Sequence, residues 1–339
     1  MMLRRTLARF GIDPYLLALI GTVIVAAILP ARGVGATIAG DAVSVAVALL
    51  FFLYGARLSP KAVWEGLLHW RLQSLVFAST YVLFPLLGLA LTKACGPWLA
   101  PELALGVMFV CVLPSTVQSS IAFTSIARGN VPAALCSASV SNLFGMVVTP
   151  LLVMLLLDGK GAGFSTKAVE DIAIQLLLPF VAGQLLRPLI GAFLLRHKAV
   201  MSLVDRGSIL LVVYAAFSEG MVAGIWSQVT ARDLGLVILL DVVLLTSVLV
   251  ATMVLSRRLG FSKEDEIAIV FCGSKKSMAS GIPMANILFP GQALGLIVLP
   301  LMLFHQAQLF ACATLAQRYA RRPQAALLPA EAVAEPAKA

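Results

Sequence analysis

Apolar residues along the chain fall into ten long windows that are separated by short polar segments. These windows cover residues 15–31, 40–56, 72–94, 103–128, 131–157, 169–190, 206–226, 234–256, 264–289 and 292–317. A helix needs about 20 mainly apolar residues to cross the hydrocarbon core of a bilayer, and the windows are near that length. The pattern therefore predicts an all-α polytopic membrane protein with about ten transmembrane helices, which we number as spans in chain order.

Basic residues between the windows alternate from one side of the membrane to the other. If the N-terminus is inside, 18 lysines and arginines fall in the inner segments and five fall in the outer loops. The outer five are Arg32, Lys93, Lys160, Lys167 and Arg232. Because cytoplasmic segments are enriched in lysine and arginine, the asymmetry predicts that both termini are cytoplasmic. High alanine, leucine and arginine usage with short loops points to a bacterial source, and hence to the cytoplasmic (inner) membrane.

The composition excludes several other classes of protein. The chain is 60% hydrophobic and 12% charged, whereas a soluble domain contains about 25% charged residues. Its net charge of +9 is spread over loops, so the lipid bilayer and a small solute are expected partners and nucleic acid is not. The five cysteines show neither CxxC nor Cys/His ligand spacing, so no disulfide framework and no metal cluster are expected, and the sequence makes no cofactor certain. The absence of HExxH and of a Ser/His/Asp set in register argues against an enzyme.

Two adjacent lysines, Lys275 and Lys276, interrupt the ninth window. A charge at the centre of a bilayer costs at least about 2.5–3.5 kcal/mol, so neither side chain is expected to face lipid. Glycines and serines surround the pair, which is the composition of a helix that breaks inside the membrane. Non-helical backbone is tolerated there only where it is buried in protein or lines a cavity. The pair therefore predicts a transporter with its site at this break.

The fourth window resembles the ninth, because each has helix breakers and a polar cluster between apolar halves. Their separation is about half the chain, as two five-span repeats require, and an odd number of spans makes the second copy inverted. Residues 1–157 and 158–320 are the predicted repeats, and 321–339 is a predicted disordered cytoplasmic tail. Single polar residues in spans also serve as glue between helices, but two matched clusters favour a site. The candidate site residues are Ser115, Thr116, Gln118, Ser119, Ser120, Asn142, Ser274, Lys275, Lys276, Ser277 and Ser280.

Charged residues inside spans usually pair with one another, so the lysines need partners. Asp241 in the eighth span is the first choice, because that span neighbours the ninth. Glu219 in the seventh span lies either at the substrate cavity or near the outer interface. In the tenth span, His305, Gln306 and Gln308 could face the crossing, although a lone histidine there is more often a satisfied core residue than a proton carrier.

The segment from Pro114 to Pro150, especially Ala127-Arg128-Gly129-Asn130, resembles the bile acid:sodium symporter family. The run Cys272-Gly-Ser-Lys-Lys-Ser277 is similar to its divergent branch, that of the seventh member of solute carrier family 10 and its bacterial relatives. The resemblance implies ten helices in two inverted repeats. Spans 3–5 and 8–10 would form a core domain and spans 1, 2, 6 and 7 a panel domain. Substrate would bind between them, near the point where the broken spans 4 and 9 cross.

The chain departs from the sodium-coupled members of that family at their ion site. The Ser-Asn pair that those members carry in the fourth span corresponds to Ser120-Ile121 or Ser119-Ser120, so its asparagine is absent here, and their glutamate falls near Phe271. Their glutamine and asparagine are replaced by Lys275 and Lys276, and a lysine repels a metal cation. We therefore expect one lysine to replace sodium as the fixed positive charge, held by backbone carbonyls of a half-helix C-terminus and by the hydroxyls of Ser115, Ser119 and Ser120. The other lysine would face the cavity and bind an anionic substrate; the alternative is that both lysines only brace the crossing. Whether Na⁺ or H⁺ is the coupling ion stays open.

Two functions fit this sequence. The first is a secondary active transporter of a small organic solute, expected to be an organic anion, that works by alternating access. The second is a membrane regulatory protein that modulates calcium or other ion entry without transporting anything itself. Direct calcium transport is disfavoured, because no path lined by carboxylates is visible in the spans. The sequence does not specify the substrate or the oligomeric state.

Overall fold

The computed structural model describes residues 14–57, 69–95, 98–157, 173–224 and 229–322, and the regular structure in these ranges is helical. The helices are α1 (Pro14–Ile28), α2 (Val34–Arg57), α3 (Trp70–Ala78), α4 (Phe84–Cys95), α5 (Pro101–Val112), α6 (Val117–Ile126), α7 (Val131–Leu157), α8 (Leu178–Arg196), α9 (Lys198–Val222), α10 (Ala231–Arg258), α11 (Lys263–Gly273), α12 (Met278–Leu288) and α13 (Leu294–Ala320). A π-helical turn, Ser79–Leu83, joins α3 to α4, and a second, Ala173–Leu177, precedes α8. The predicted all-α class is confirmed.

Seven helical stretches are long and apolar enough to cross a membrane, or eight if α5 and α6 count as one bent span. The chain is therefore an integral membrane protein. The count is below the expected ten because α1 is a shorter apolar helix and the ninth window consists of two 11-residue helices. The inverted repeat stays a prediction. The junction at 158–172 and positions 323–339 of the proposed tail lie outside the described residues.

The outward faces of several helices are apolar, as a surface against lipid requires. Leu155 on α7 is 76% exposed, and Leu185 and Leu189 on α8 are 74% and 77% exposed. Soluble monomers rarely expose contiguous apolar surface on this scale. These leucines indicate that α7 and α8 border the bilayer.

Two helix pairs are interrupted in the middle of the protein. The pair α5 and α6 bends by 60° at residues 113–116, where Pro114 disfavours helix for the residue before it. The pair α11 and α12 is interrupted at residues 274–277, which contain both lysines. These two interruptions, which we call the first and second breaks, are the predicted broken spans.

One layer of the protein, the panel, contains α1, α2, α8 and α9. Its tightest contact joins α2 to α8, where Gly55 and Gly183 face each other's helices. A methyl group added to Gly55 would collide with the carbonyl oxygen of Phe180, and one added to Gly183 would collide with that of Phe52. Small residues let membrane helices approach backbone to backbone in this way.

The second layer, the core, contains α3 to α7 and α10 to α13. Within it α13 lies along α5 and α10, and α11 packs against α3, α6, α7 and α10. The panel meets the core through α9, which packs on α12 and α13. This arrangement places both breaks in the interior of the core, with the panel beside them.

The Ala127-Arg128-Gly129-Asn130 motif is a turn that fastens α6 and α7 to the start of α11. Arg128 has a positive φ of 58°, which reverses the chain after α6. The backbone N–H of Asn130 donates to the carbonyl of Glu264 (3.0 Å), and its side-chain amide donates to Asp265 (2.8 Å). The side-chain oxygen Oδ1 of Asn130 also accepts from the backbone N–H of Ala133, and this bond caps α7. The motif therefore has a structural role at one end of the core.

Candidate functional site at the crossing of the two breaks

The two breaks meet and exchange hydrogen bonds. The backbone N–H of Ser277 donates to the carbonyl of Pro114 at 2.8 Å. The hydroxyl of Ser115 donates to the carbonyl of Cys272 (2.6 Å), and that of Ser120 donates to the carbonyl of Phe271 (2.9 Å). The last carbonyls of a helix lack partners within that helix, and the bilayer offers no water to replace them. Ser115 and Ser120 therefore satisfy the end of α11.

Lys276 is fully buried and all three of its N–H donors are used. Its Nζ donates to the backbone carbonyls of Thr80 (2.8 Å), Cys111 (2.9 Å) and Leu113 (2.7 Å). Cys111 and Leu113 lie at the C-terminal end of α5, where the helix dipole favours a cation. Thr80 lies in the first π-helical turn, a rare structure that is frequent at functional sites. These three oxygens form the carbonyl cage of Lys276.

The main chain of Lys276 is fixed as firmly as its side chain. Gln308 on α13 accepts from the N–H of Lys276 through Oε1 (2.9 Å) and donates to its carbonyl through Nε2 (3.1 Å). The same Nε2 lies 2.8 Å from Nδ1 of His305. The structure therefore brings His305 and Gln308 to the second break, where they position the backbone of Lys276.

Lys275 is equally buried but has a different environment. Among the described residues its Nζ has no hydrogen-bonding partner. It lies 4.1 Å from the ring centre of Phe123 on α6 and 5.3 Å from that of Phe271 on α11. Aromatic faces attract a cation but do not replace hydrogen bonds to an ammonium. Hydrogen bonds therefore offset the cost of burying the ammonium of Lys276 but not that of Lys275.

A cavity of about 400 Å³ lies beside the crossing, between the core and the panel. The core contributes the first turns of α6 and α12, together with Asn142 and Ser139 of α7 and His305 of α13. The panel contributes Tyr54, Arg57, Phe180, Ser202, Asp205 and Arg206. Pockets of this size accept small organic molecules.

The predicted site residues divide into two sets. The residues that line the cavity are Thr116, Gln118, Ser119, Asn142, Ser277 and Ser280. The residues buried in the crossing behind it are Ser115, Ser120, Ser274, Lys275 and Lys276. Ser280 joins the two helices at the cavity by donating to Oδ1 of Asn142 (2.8 Å), whereas Ser274 donates back to Val270 of its own helix. The expectation that the second lysine faces the cavity is not met, because Lys275 does not line it.

The helix ends at the cavity differ in their capping. Ser277 is the N-cap of α12, and its hydroxyl accepts from the N–H of Ser280. Thr116 is the N-cap of α6, and its side chain makes no capping bond. A helix N-terminus carries partial positive charge and unpaired N–H groups. The first turn of α6 therefore offers more to an anion than that of α12.

Neither predicted carboxylate pairs with a lysine in this structure. Both carboxyl oxygens of Asp241, which is buried in α10, have no hydrogen-bonding partner among the described residues. Glu219 is exposed on α9, whereas both lysines are fully buried. The reason is visible at Lys276, where carbonyl dipoles supply the negative charge that a carboxylate was expected to supply.

Sequence reasoning missed the charged pair at the panel side of the cavity. Arg57 at the end of α2 donates two hydrogen bonds to Asp205 of α9, at 2.7 and 2.8 Å. From the sequence, Arg57 is only a basic residue at the edge of an apolar window. Its partner lies 148 residues away along the chain, and no sequence pattern connects the two positions. The signal that was available is Asp205 itself, an acid at the edge of an apolar window.

Comparison with known proteins assigns the chain to a transporter family. The model of the SBF-like CPA transporter family matches residues 13–321. The chain belongs to this family. The resemblance drawn from the Ala-Arg-Gly-Asn and Lys-Lys motifs is thus confirmed.

Full-length relatives within this transporter family support the assignment. PA2026 of Pseudomonas aeruginosa is 58% identical over 93% of this chain and 95% of its own length. The Escherichia coli protein named "Putative symporter YfeH" is 51% identical over 92% of this chain and 94% of its own. Sodium/bile acid cotransporter 7 of Rattus norvegicus is 30% identical over 78% and 79% of the two chains.

Proposed function

We propose that this protein is a secondary active transporter that moves a small organic anion by alternating access. The observation that carries the proposal is the cavity between panel and core, into which both half-helices α6 and α12 direct their N-terminal turns. Transporters built on broken helices bind the charged groups of their substrates at such ends. The same position between two layers allows one layer to move against the other while the solute is held.

The charges that line the cavity favour an anion over a cation. Arg57, Arg206 and His305 lie at its wall together with the uncapped first turn of α6. Asp205 is the acid among the lining residues, and Arg57 already binds both of its oxygens. A negatively charged solute therefore meets donors on both the panel and the core side.

The crossing itself favours the view that Lys276 stands in for a coupling cation. Its ammonium occupies a cage of three carbonyl oxygens at 2.7–2.9 Å, and oxygen cages of this kind hold small cations elsewhere. Because Lys276 does not line the cavity, it supports the crossing and does not bind the solute. With this place filled, sodium is not required there.

The direction of opening follows from the predicted orientation. Arg57 and Arg206 belong to segments that the positive-inside pattern places in the cytoplasm. The cavity therefore represents an inward-facing state of a protein in the bacterial plasma membrane. A regulatory membrane protein has no need of a solute-sized cavity between two layers, so the cavity favours transport over that alternative, and no observation favours catalysis.

Ligand binding by the purified full-length protein tests the proposal. Organic anions that carry carboxylate, sulfate or phosphate groups are screened for stabilisation against heat, with matched organic cations as the comparison set. A ligand at a hundred times its Kd stabilises by about 2.7 kcal/mol. We expect anions to stabilise the wild type, and Arg57→Gln to weaken the effect. Arg318→Gln, at an exposed arginine outside the cavity, is the control.

Uptake by proteoliposomes then follows for each anion that binds. Uptake that Arg57→Gln reduces and Arg318→Gln does not is the expected result. Stabilisation by cations alone, or equal binding of anions by both variants, would overturn the anion assignment. Binding without any uptake would favour the regulatory function.

A further inference from the structure

Lys275 is a buried titratable group that the proposed transport cycle has not yet used. Its side chain is 0% exposed, and among the described residues no acceptor reaches its Nζ. Lys276, one residue away and equally buried, has an acceptor for each of its three protons. The amine of Lys275 is therefore free to lose a proton at no cost in hydrogen bonds, whereas Lys276 would lose three.

Among the described residues, the groups that interact with the amine of Lys275 come from three helices, and none of these groups is a carboxylate. From α6 it faces the ring of Phe123, and from α11 it faces the ring of Phe271 and the thiol of Cys272. From α13 it faces the thiol of Cys312, and the nearest fixed charge along the chain is the ammonium of Lys276. An ammonium in this pocket has only aromatic faces to stabilise it, and a neutral amine fits the pocket without an anion.

The position of Lys275 links its proton to the geometry of the crossing. Its backbone lies in the second break, and the ring nearest to its amine belongs to α6, whose first turn lines the cavity. The hydroxyl of Ser120 on α6 holds the end of α11 through the carbonyl of Phe271. A shift of α6 against α11 therefore changes what Lys275 faces, and a proton on Lys275 changes which arrangement is favoured.

We propose that Lys275 is the proton-binding site that couples this transporter to H⁺, while Lys276 keeps its charge throughout. The inference rests on the transport function proposed above. In the forward step the lone pair of Nζ forms an N–H bond as an O–H bond of hydronium breaks, and the crossing gains one positive charge. In the return step the ammonium gives the proton back to water. An added positive charge beside the cavity strengthens attraction for an anion, which fits an anion and a proton moving together.

The protonation of each lysine is measurable without knowing the solute. The purified full-length protein is labelled with ¹³C at lysine Cε, whose chemical shift moves when the ammonium loses its proton. Spectra of Lys275→Met and Lys276→Met assign the two signals by their loss. If Lys276→Met does not fold, its signal is assigned from Lys276→Arg instead.

Spectra are recorded between about pH 6 and pH 9, a range in which an exposed lysine, with a pKa of about 10.4, keeps its proton. The expected result is a signal of Lys275 that moves from the ammonium to the amine shift within this range, while that of Lys276 stays at the ammonium shift. A Lys275 signal fixed at either shift across this range would overturn the proposal. So would a Lys276 signal that titrates while Lys275 does not. Since the spectra need no solute, failure here is separate from a failure to find a transported anion.

A second measurement keeps the proposal open to refutation if the spectra are too broad. The equilibrium constant of unfolding is followed against pH in mixed micelles for the wild type and Lys275→Met. Asp241→Asn is the control, because it removes another buried titratable side chain and leaves Lys275 in place. One proton bound more by the unfolded than by the folded chain changes that constant about tenfold per pH unit. We expect the slope to differ by one proton between the wild type and Lys275→Met in the range where Lys275 is neutral. Identical slopes would contradict the assignment.

Discussion

The two breaks differ in chemistry although they are interrupted at matching places. The first break and the end of α5 present acceptors, the carbonyls of Cys111, Leu113 and Pro114. The second break presents donors, the ammonium of Lys276 and the N–H of Ser277. The backbone carbonyls on the first side therefore accept from the second break, whereas the hydroxyls of Ser115 and Ser120 donate in the opposite direction, to the end of α11. Two breaks of similar shape thus carry different chemical groups.

The same asymmetry appears in energetic terms. A buried ion costs several kcal/mol to desolvate, and only well-formed hydrogen bonds offset that cost. Lys276 meets this requirement through three charge-assisted bonds, and Lys275 does not. Stability and proton exchange are thus expected to depend on different lysines of the same break.

The largest expected effect comes from removing the ammonium of the second break. Lys276→Met leaves three buried carbonyls without a donor, and we expect a loss of about 3–5 kcal/mol in the free energy of unfolding. Lys275→Met removes no hydrogen bond and should cost less than about 1 kcal/mol or stabilise. Equilibrium unfolding in mixed micelles compares the two variants. Equal losses would remove the distinction between the lysines.

A missing side chain can be supplied from solution, which sharpens the comparison. Lys276→Ala lacks the three outer carbons and the nitrogen of lysine, so n-propylammonium fits the vacated volume and the carbonyl cage. We expect propylammonium chloride to raise the melting temperature of Lys276→Ala above that in choline chloride at equal ionic strength. Neither the wild type nor Lys275→Ala should respond. Rescue by sodium as well would show that the cage accepts a free metal cation.

An intermediate effect is expected at Gly145 on α7, behind the first break. A methyl group there would lie 2.6 Å from Cβ of Pro114 and 2.8 Å from the hydroxyl of Tyr81. Gly145→Ala should therefore shift the first break and cost about 1–3 kcal/mol. Gly235→Ala on α10 is the matched control, since nothing lies within 4 Å and alanine favours helix. Thermal unfolding distinguishes the two, and a tolerated Gly145→Ala would mean that the break is loosely held.

The smallest expected effect concerns the two N-caps at the cavity. Ser277→Ala removes a hydroxyl that accepts from Ser280 and should destabilise by about 1 kcal/mol. Thr116→Ala removes a side chain that makes no capping bond and should leave stability nearly unchanged. The same thermal assay serves for both. A greater loss from Thr116→Ala would reverse the assignment of α6 as the open anion-binding end.

Much of this arrangement can be predicted from the sequence, because membrane burial makes polar residues informative. Two lysines among glycines and serines predict a broken span, and Pro114 with its serines predicts the matching one. The helix dipole predicts that backbone carbonyls at a half-helix C-terminus hold one ammonium. Which carbonyls bind Lys276 could not be predicted, because a carbonyl is present at every residue and leaves no mark in the sequence. Asp241 was chosen as partner for the same reason, since a carboxylate is visible in a sequence and a free carbonyl is not.

The panel side of the cavity was harder to predict than the core side. Arg57 lies at the end of α2 and Asp205 lies within α9, and only the packing of α2 against α9 brings them together. The Ala-Arg-Gly-Asn motif was informative about family but not about role. In the structure it fastens the ends of three helices and lies outside the cavity lining.

The covalent attachment of Lys276 has a thermodynamic consequence. A dissolved ion at such a position has a concentration on each side of the membrane, and the difference between them can do work on a solute. A cation built into the polypeptide has no concentration and crosses no barrier, so this position stores no gradient energy. The carbonyl cage remains occupied at any salt concentration. The free energy that drives accumulation of a solute must therefore enter the transport cycle at another site.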